Sequence, residues 1–254
     1  MIPAARKESI KNVIENYGFV SAGELARQLG ISLSTVRRDL IELENEGVIV
    51  RTRGGAGING HNLVLSPAAV SRAIQHTGEK SRIAEKAVEL VADAGCIVLD
   101  AGTTTLEVAR RLYPKQPLKV ITDSIEIAYE LKDREHVTIL ITGGILHPSS
   151  YFLYGGFGEE MLGKMHAQVC VMGAVGLSLK QGLTKHDIEA LQIRKRMIDI
   201  SHKLICVADS SKMNVTGLVS ICPADRVDML ITDTGINPEF KKALEAIGCQ
   251  ILTV

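Results

Sequence analysis

"CIVLDAGTTTLEVARRL", Cys96–Leu112, decides how the rest of the chain is read. Apolar residues run unbroken into Asp100, as in a strand buried on both faces. Gly102 permits a tight turn, and helical spacing resumes from about Thr104. Thr103, Thr104 and Thr105 then bring hydroxyls and backbone N–H groups to the start of a helix. The unpaired N–H groups and positive dipole end of that helix favour an anion. Asp100 would repel phosphate but suits a sugar hydroxyl. The turn is no Walker P-loop, because GxxxxGK[ST] is missing.

Outward from this stretch, six more apolar runs have strand character: Leu118–Thr122, Val137–Thr142, Val169–Ala174, Lys203–Asp209, Asp228–Thr232 and Cys249–Val254. Helical patterns fall between most of them, at 80–93, 104–113, 124–132, 187–201 and 237–247. This alternation predicts an α/β domain with a mainly parallel sheet covered on both faces. Ligands of such sheets gather beyond the carboxyl ends of the strands. The polar groups there form the candidate effector site: Asp100, Gly102, Thr103, Thr104 and Thr105, then Thr122, Asp123 and Ser124 in "ITDS". Gly143 and Gly144 of "ITGG" allow close backbone approach, Asp187 adds a carboxylate, and Lys185 and Lys212 supply positive charge. Each loop alone is ordinary; their succession after consecutive strands makes them a joint site.

The composition changes near residue 57. In "VSAGELARQLGISLSTVRRDLIELENEGVIVRTRGGA", Val20–Ala56, Ser21 and Glu24 have capping-box spacing, and Gly30 can end the first helix. Ser32 can cap the second, whose Leu33, Val36, Leu40 and Leu43 form an apolar stripe. Ser34, Thr35, Arg37 and Arg38 occupy its opposite side. Two short helices about a glycine turn predict a helix-turn-helix, with the front of the second helix in the major groove. "VIVRTRGGA" reads as a hairpin wing whose Arg51 and Arg53 share one face and can straddle phosphates. The candidate DNA contacts are therefore Ser21, Ser32, Ser34, Thr35, Arg37, Arg38, Arg51 and Arg53. Residues 1–57 form the predicted reader, 58–78 a linker punctuated by Gly, Asn and Pro, and 79–254 the effector-binding and oligomerisation domain.

Composition agrees and excludes alternatives. Lys+Arg and Asp+Glu balance at 29 each, so contact with nucleic acid must come from a local patch. Residues 1–56 hold eight basic and seven acidic groups, but Asp39, Glu42, Glu44 and Glu46 sit in the rear half of the reading helix while arginines occupy its front and the wing. No segment has membrane-span character and the N-terminus lacks a signal-peptide core, so a cytoplasmic protein without membrane contact is expected. The five cysteines form no CxxC pair and read as buried free thiols. No ligand cluster has metal spacing, and no cofactor is expected.

"LARQLGISLSTVRRDLIELENEGVIVRTRGGA" resembles the winged helix-turn-helix of DeoR-family transcriptional regulators. "LDAGTTT", "VITDS", "TGG", "GLT…D…EA" and "DSSK" stand in the order of that family's effector domain. The resemblance implies a fold related to ribose-5-phosphate isomerase, a phosphorylated sugar or related metabolite as effector with "GTTT" on its phosphate, and repression of carbohydrate or polyol genes. Operator half-sites imply a dimer at least, and the family allows a tetramer. Two positions depart from the pattern: Val175 stands where the family commonly has Asp, and Arg194 where it commonly has Lys. A second reading makes the chain a sugar-phosphate isomerase or deaminase with a DNA-binding appendage, using Asp100, Asp187 and Glu189 as acid/base groups with His186 nearby. Val175, which cannot handle a proton, and the complete DNA-reading unit weigh against it.

Overall fold

The computed structural model describes residues 2–17, 19–52, 55–58, 72–73, 75–148 and 150–254. They divide into two units, Met1–Gln75 and His76–Val254. The segment read as a linker lies largely outside the described residues, as does Arg53.

In the first unit, α1 (Pro3–Tyr17) precedes β1 (Phe19–Ser21), α2 (Ala22–Leu29) and α3 (Leu33–Asn45). The wing strands β2 (Ile49–Thr52) and β3 (Gly55–Ile58) pair antiparallel, and β1 joins β3, giving the order β1-β3-β2. Ser21 and Glu24 close a capping box. Gly30 ends α2 at φ 63, and Ser32 caps α3 by accepting from the Thr35 N–H. Ile10, Ile14, Val20, Leu25, Val36, Leu40, Leu43, Ile49 and Ala56 are buried together in this unit. Leu33, expected in the stripe, is 39% exposed, because it opens α3 a turn ahead of the buried stretch.

The second unit begins with α4 (Thr77–Val91) and β4 (Cys96–Leu99), followed by α5 (Thr103–Arg111), β5 (Leu118–Thr122), α6 (Ile125–Leu131) and β6 (Val137–Ile141). A hairpin, β7 (Ile145–Leu146) and β8 (Leu153–Tyr154), leads into α7 (Gly156–Leu162) and β9 (Ala167–Gly173). Then come β10 (Gly176–Ser178), β11 (Gly182–Lys185), α8 (Leu191–Asp199), β12 (Ser201–Val207), β13 (Val219–Cys222), β14 (Met229–Thr232), α9 (Pro238–Ala246) and β15 (Gln250–Thr253).

All seven apolar runs are strands of one parallel sheet, ordered β15-β14-β12-β9-β4-β5-β6. Alternate residues face opposite layers. Val98, Cys170, Met172, Leu204, Cys206 and Leu230 join one core with Ile193 and Met197 of α8 and Phe240 and Leu244 of α9. Ile97, Leu99, Val171, Ile205, Val207 and Ile231 join the other with Ile83 and Ala87 of α4, Val108 of α5 and Ile127 of α6. Burial on both faces is why the inner runs look continuous in sequence, whereas the edge strands β6 and β15 are only partly buried. The cysteines are free, and burial pushes the thiols of Cys170, Cys206, Cys222 and Cys249 up, toward the inert protonated form.

The strand order reverses between β4 and β9: β5 and β6 extend the sheet one way, β12, β14 and β15 the other. A crevice for ligand opens at such a switch point. Strands β10, β11 and β13 form a separate antiparallel sheet beside it. Among the described residues, no helix is long and apolar enough to cross a membrane.

Candidate functional site

On the reader, Ser34, Arg37 and Arg38 are exposed along α3, and Thr35 is half-buried. The Ser32 hydroxyl lies 2.9 Å from that of Ser34 and 2.7 Å from that of Thr35, so the front of α3 carries a linked hydroxyl cluster. Ser21 is occupied by its cap: its hydroxyl accepts the Glu24 N–H at 3.2 Å. Arg51 is exposed at the wing and reaches back to α3, where its Nη1 lies 3.3 Å from Glu44 Oε2. The acidic rear half of α3 is likewise engaged. Buried Asp39 receives the Arg6 guanidinium through two nitrogens, at 2.5 and 2.8 Å, and Glu42 and Glu46 flank Lys7 at 2.6 and 3.0 Å. These pairs tie α1 and the wing to α3 and leave the front of α3 as its outward basic surface.

In the second unit, Asp100, Asp123, Lys185 and Asp187 come together about Arg194 beside the switch point, while Lys212 pairs with Asp209 instead. Asp100, past the end of β4, accepts the Gly173 N–H from the end of β9 at 2.9 Å on Oδ1. Its Oδ2 receives Lys185 Nζ at 2.5 Å and lies 3.9 Å from Arg194 Nε. Both carboxylate oxygens are thus engaged within the protein. Gly102 is exposed at the mouth of α5, Thr103 is half-buried and Thr104 is 8% exposed. The Thr105 hydroxyl is directed to the Asp100 and Gly102 carbonyls at 2.7 and 2.9 Å, so it fastens the turn. Its backbone N–H lies in the first turn of α5 with those of Thr103 and Thr104.

At the end of β5, Thr122 Oγ1 accepts the Ser124 N–H at 3.0 Å, and Ser124 caps α6. Asp123 Oδ1 accepts the Ala101 N–H at 2.8 Å. Burial pushes the Asp123 carboxyl up to about 6, Asp100 adds to the rise, and Arg194, the Ala101 N–H and Lys185 pull against it. At the end of β6, Gly143 and Gly144 have φ 69 and 111. A Cβ on Gly144 would lie 2.4 Å from the Tyr154 carbonyl oxygen, so the hairpin needs glycine there. Lys212 stands half-buried after β12, its Nζ 4.0 Å from Asp209 Oδ2. His186 and Glu189 are exposed.

Arg194 is a buried cation of this cluster, yet in sequence it registers only as a departure from a pattern. It is 1% exposed, with Nη1 and Nη2 each 3.3 Å from Asp187 Oδ2 and its guanidinium 5.1 Å from the Phe152 ring centre. The available signal was a charged residue at the spacing of Ala190, Ile193 and Met197, the buried stripe of α8. No group of three or more His, Cys, Asp or Glu side chains that could hold a metal occurs among the described residues.

Comparison with known proteins accounts for both units. Residues 6–62 match the DeoR-like helix-turn-helix domain and residues 75–234 the DeoR C terminal sensor domain. The chain is 33% identical to the HTH-type transcriptional regulator GolR of Listeria innocua over 99% of this chain and 98% of that protein. It is 32% identical to the putative aga operon transcriptional repressor of Escherichia coli O157:H7, over 98% and 93%. With the HTH-type transcriptional repressor GlcR of Bacillus subtilis it shares 31% identity over 99% and 96%. Among solved structures, ribose 5-phosphate isomerase A from Neisseria gonorrhoeae aligns with 55% of this chain and 54% of its own at 21% identity and a TM-score of 0.38, a partial likeness on which nothing about activity rests. The chain therefore belongs to the DeoR family of transcriptional regulators, with a DNA-reading helix-turn-helix followed by a sensor domain.

Proposed function

We propose that the protein represses genes of carbohydrate or polyol metabolism and that a phosphorylated sugar or related metabolite, bound at the switch point of the sensor sheet, changes its hold on the operator. The observation that carries this is the union, in one chain, of the reader at 6–62 and the sensor at 75–234. The names of the aga operon repressor and the GlcR repressor support the direction of control.

The residues divide the work. The α5 N-terminus, with Gly102, Thr103, Thr104 and the Thr105 backbone, takes the phosphate, helped by Lys212. Asp100 holds Lys185 in place, and Thr122, Asp123, Ser124, Gly143, Gly144 and Asp187 shape the carbon-chain end. Ser32, Ser34, Thr35, Arg37, Arg38, Arg51 and Arg53 contact DNA, and Ser21 positions α2. One reader covers only a half-site, so the working form is a dimer or tetramer. Ligand changes DNA affinity only if it binds the two arrangements of that oligomer unequally.

The pocket senses without turning its ligand over. Asp100 has both oxygens occupied, Asp187 is tied to Arg194, and Val175 can handle no proton. The test is a thermal-shift panel of phosphorylated sugars and polyols, followed by titration of each hit into an operator gel shift. A ligand that raises Tm and alters operator affinity is expected. Steady-state turnover of a pentose or hexose phosphate, or a panel without effect, would overturn the reading.

A further inference from the structure

Three buried polar atoms near the effector site have no hydrogen-bond partner among the described residues: Asp123 Oδ2, Arg194 Nε and Thr142 Oγ1. Their residues are 0%, 1% and 2% exposed. An unsatisfied buried polar group is costly, and native proteins rarely leave one without a reason such as water or ligand. The three lie at the carboxyl ends of β5 and β6 and on the facing side of α8. Thr142 is joined to the end of β5 by its N–H to the Thr122 carbonyl at 3.1 Å. Arg194 is the strongest charged influence on Asp123.

The two charged groups are each held by something else. Asp123 is fixed through Oδ1 by the Ala101 N–H, and through its backbone carbonyl by the Leu153 N–H at 2.8 Å. Arg194 is fixed by Asp187 and by the Phe152 ring, and its Nε faces Asp100 Oδ2 at 3.9 Å, an ion pair too long to be a hydrogen bond. One carboxylate oxygen, an acceptor, and one guanidinium N–H, a donor, are thereby left without a hydrogen bond. The group that satisfies both must accept and donate at once, and a hydroxyl does so. A ligand carboxylate would accept from Arg194 Nε–H but meet Asp123 with like charge. A bare methylene would leave both unpaired.

We propose that Asp123 Oδ2 and Arg194 Nε jointly read the terminal hydroxyl of the phosphorylated effector's carbon chain, at the end away from the phosphate, with Thr142 Oγ1 contacting a neighbouring hydroxyl, so that the site selects a phosphorylated polyol over the corresponding sugar acid. This rests on the reading of the pocket as a sugar-phosphate sensor. A lysine at position 194 keeps the charge but has no N–H partway along the side chain, so the arginine is specific to this discrimination.

The test is calorimetric titration of the full-length protein with sorbitol 6-phosphate, 6-phosphogluconate and inorganic phosphate. The first two have equal chain length and differ at one end, CH2OH against carboxylate. Wild type is expected to bind sorbitol 6-phosphate at least tenfold more tightly than 6-phosphogluconate. Asp123→Asn and Arg194→Lys should each erase most of that preference while leaving phosphate affinity within about twofold, which also shows that the variants are folded. Equal or tighter binding of the acid, phosphate binding without polyol binding, or an unchanged preference in both variants overturns the inference while sparing the sensor reading. Failure of all three ligands to bind wild type overturns the sensor reading and the inference with it.

Discussion

Replacing Asp123 by Asn should stabilise the sensor unit at neutral pH and not in acid. Asp123 is wholly buried, and its carboxyl is pushed up to about 6, chiefly by burial. In the unfolded chain it titrates near the ordinary value of about 3.9. The folded pKa lies above the unfolded one, so ionisation opposes folding: stability contributed by this group falls as pH rises from about 4 to about 6. Two pKa units at about 1.4 kcal/mol each amount to about 3 kcal/mol in all, of which about 2 kcal/mol falls between about pH 4.5 and about pH 7.5. Asn preserves the acceptor for the Ala101 N–H and cannot ionise. The assay is denaturant-dependent hydrogen exchange of the β4 and β5 amides in both proteins at the two pH values, which reports the sensor unit separately from the reader. Relative to the variant, wild type should lose about 2 kcal/mol on going to the higher pH. A difference that stays constant within about 0.5 kcal/mol, or one of opposite sign, would refute the reasoning that burial dominates the Asp123 environment.

Arg37→Ala should weaken operator binding by about 1–3 kcal/mol in a quantitative gel shift and leave ligand binding unchanged; equal losses on specific and non-specific DNA would make Arg37 a phosphate contact instead. Thr104→Glu, which puts a negative charge at the α5 N-terminus, should abolish the ligand response while DNA binding persists. A normal response to inducer would show that the phosphate lies elsewhere. Gly182→Ala should destabilise the sensor unit by about 2 kcal/mol or more on thermal or denaturant unfolding. Gly182 has φ 69, and an added Cβ would come 2.0 Å from the Cys222 carbonyl oxygen, so an unchanged midpoint would contradict the packing of β11 on β13.

Much of the fold was legible because its strongest elements advertise themselves locally. The seven parallel strands are short, predominantly apolar runs, and the helix-turn-helix carries its caps, glycine turn and stripe in consecutive residues. The antiparallel sheet of β10, β11 and β13 is not legible in the sequence, because "GLS" and "GLTK" are too short to show a period and lie among glycines. Helix α7 is not legible for a related reason: "GFGEEML" is only seven residues long and opens with glycine at its first and third positions. Gly158 is there because a Cβ would come 2.8 Å from Ile193 Cδ1 and 3.1 Å from the Gly143 carbonyl, a demand of tertiary packing on α8 and the β6 end.

The candidate site divides along the same line. Chain order and residue type were enough to choose the strand-end turns, because a threonine-rich helix start and small residues after apolar strands are local properties. The reversal of strand order between β4 and β9, which brings Asp100 to Gly173 and Lys185, arises only when strands distant in sequence pair. The same holds for the pairing of Arg6 with Asp39 and for Arg194, whose charge joins the site because the buried face of α8 turns it toward Asp100, Asp187 and Phe152. Local sequence determines which segments become helices, strands and caps, since those depend on near neighbours along the chain. Which charges meet, and which buried atoms lack a partner, is decided by contacts between residues far apart in the chain, and these exist only in the folded sheet.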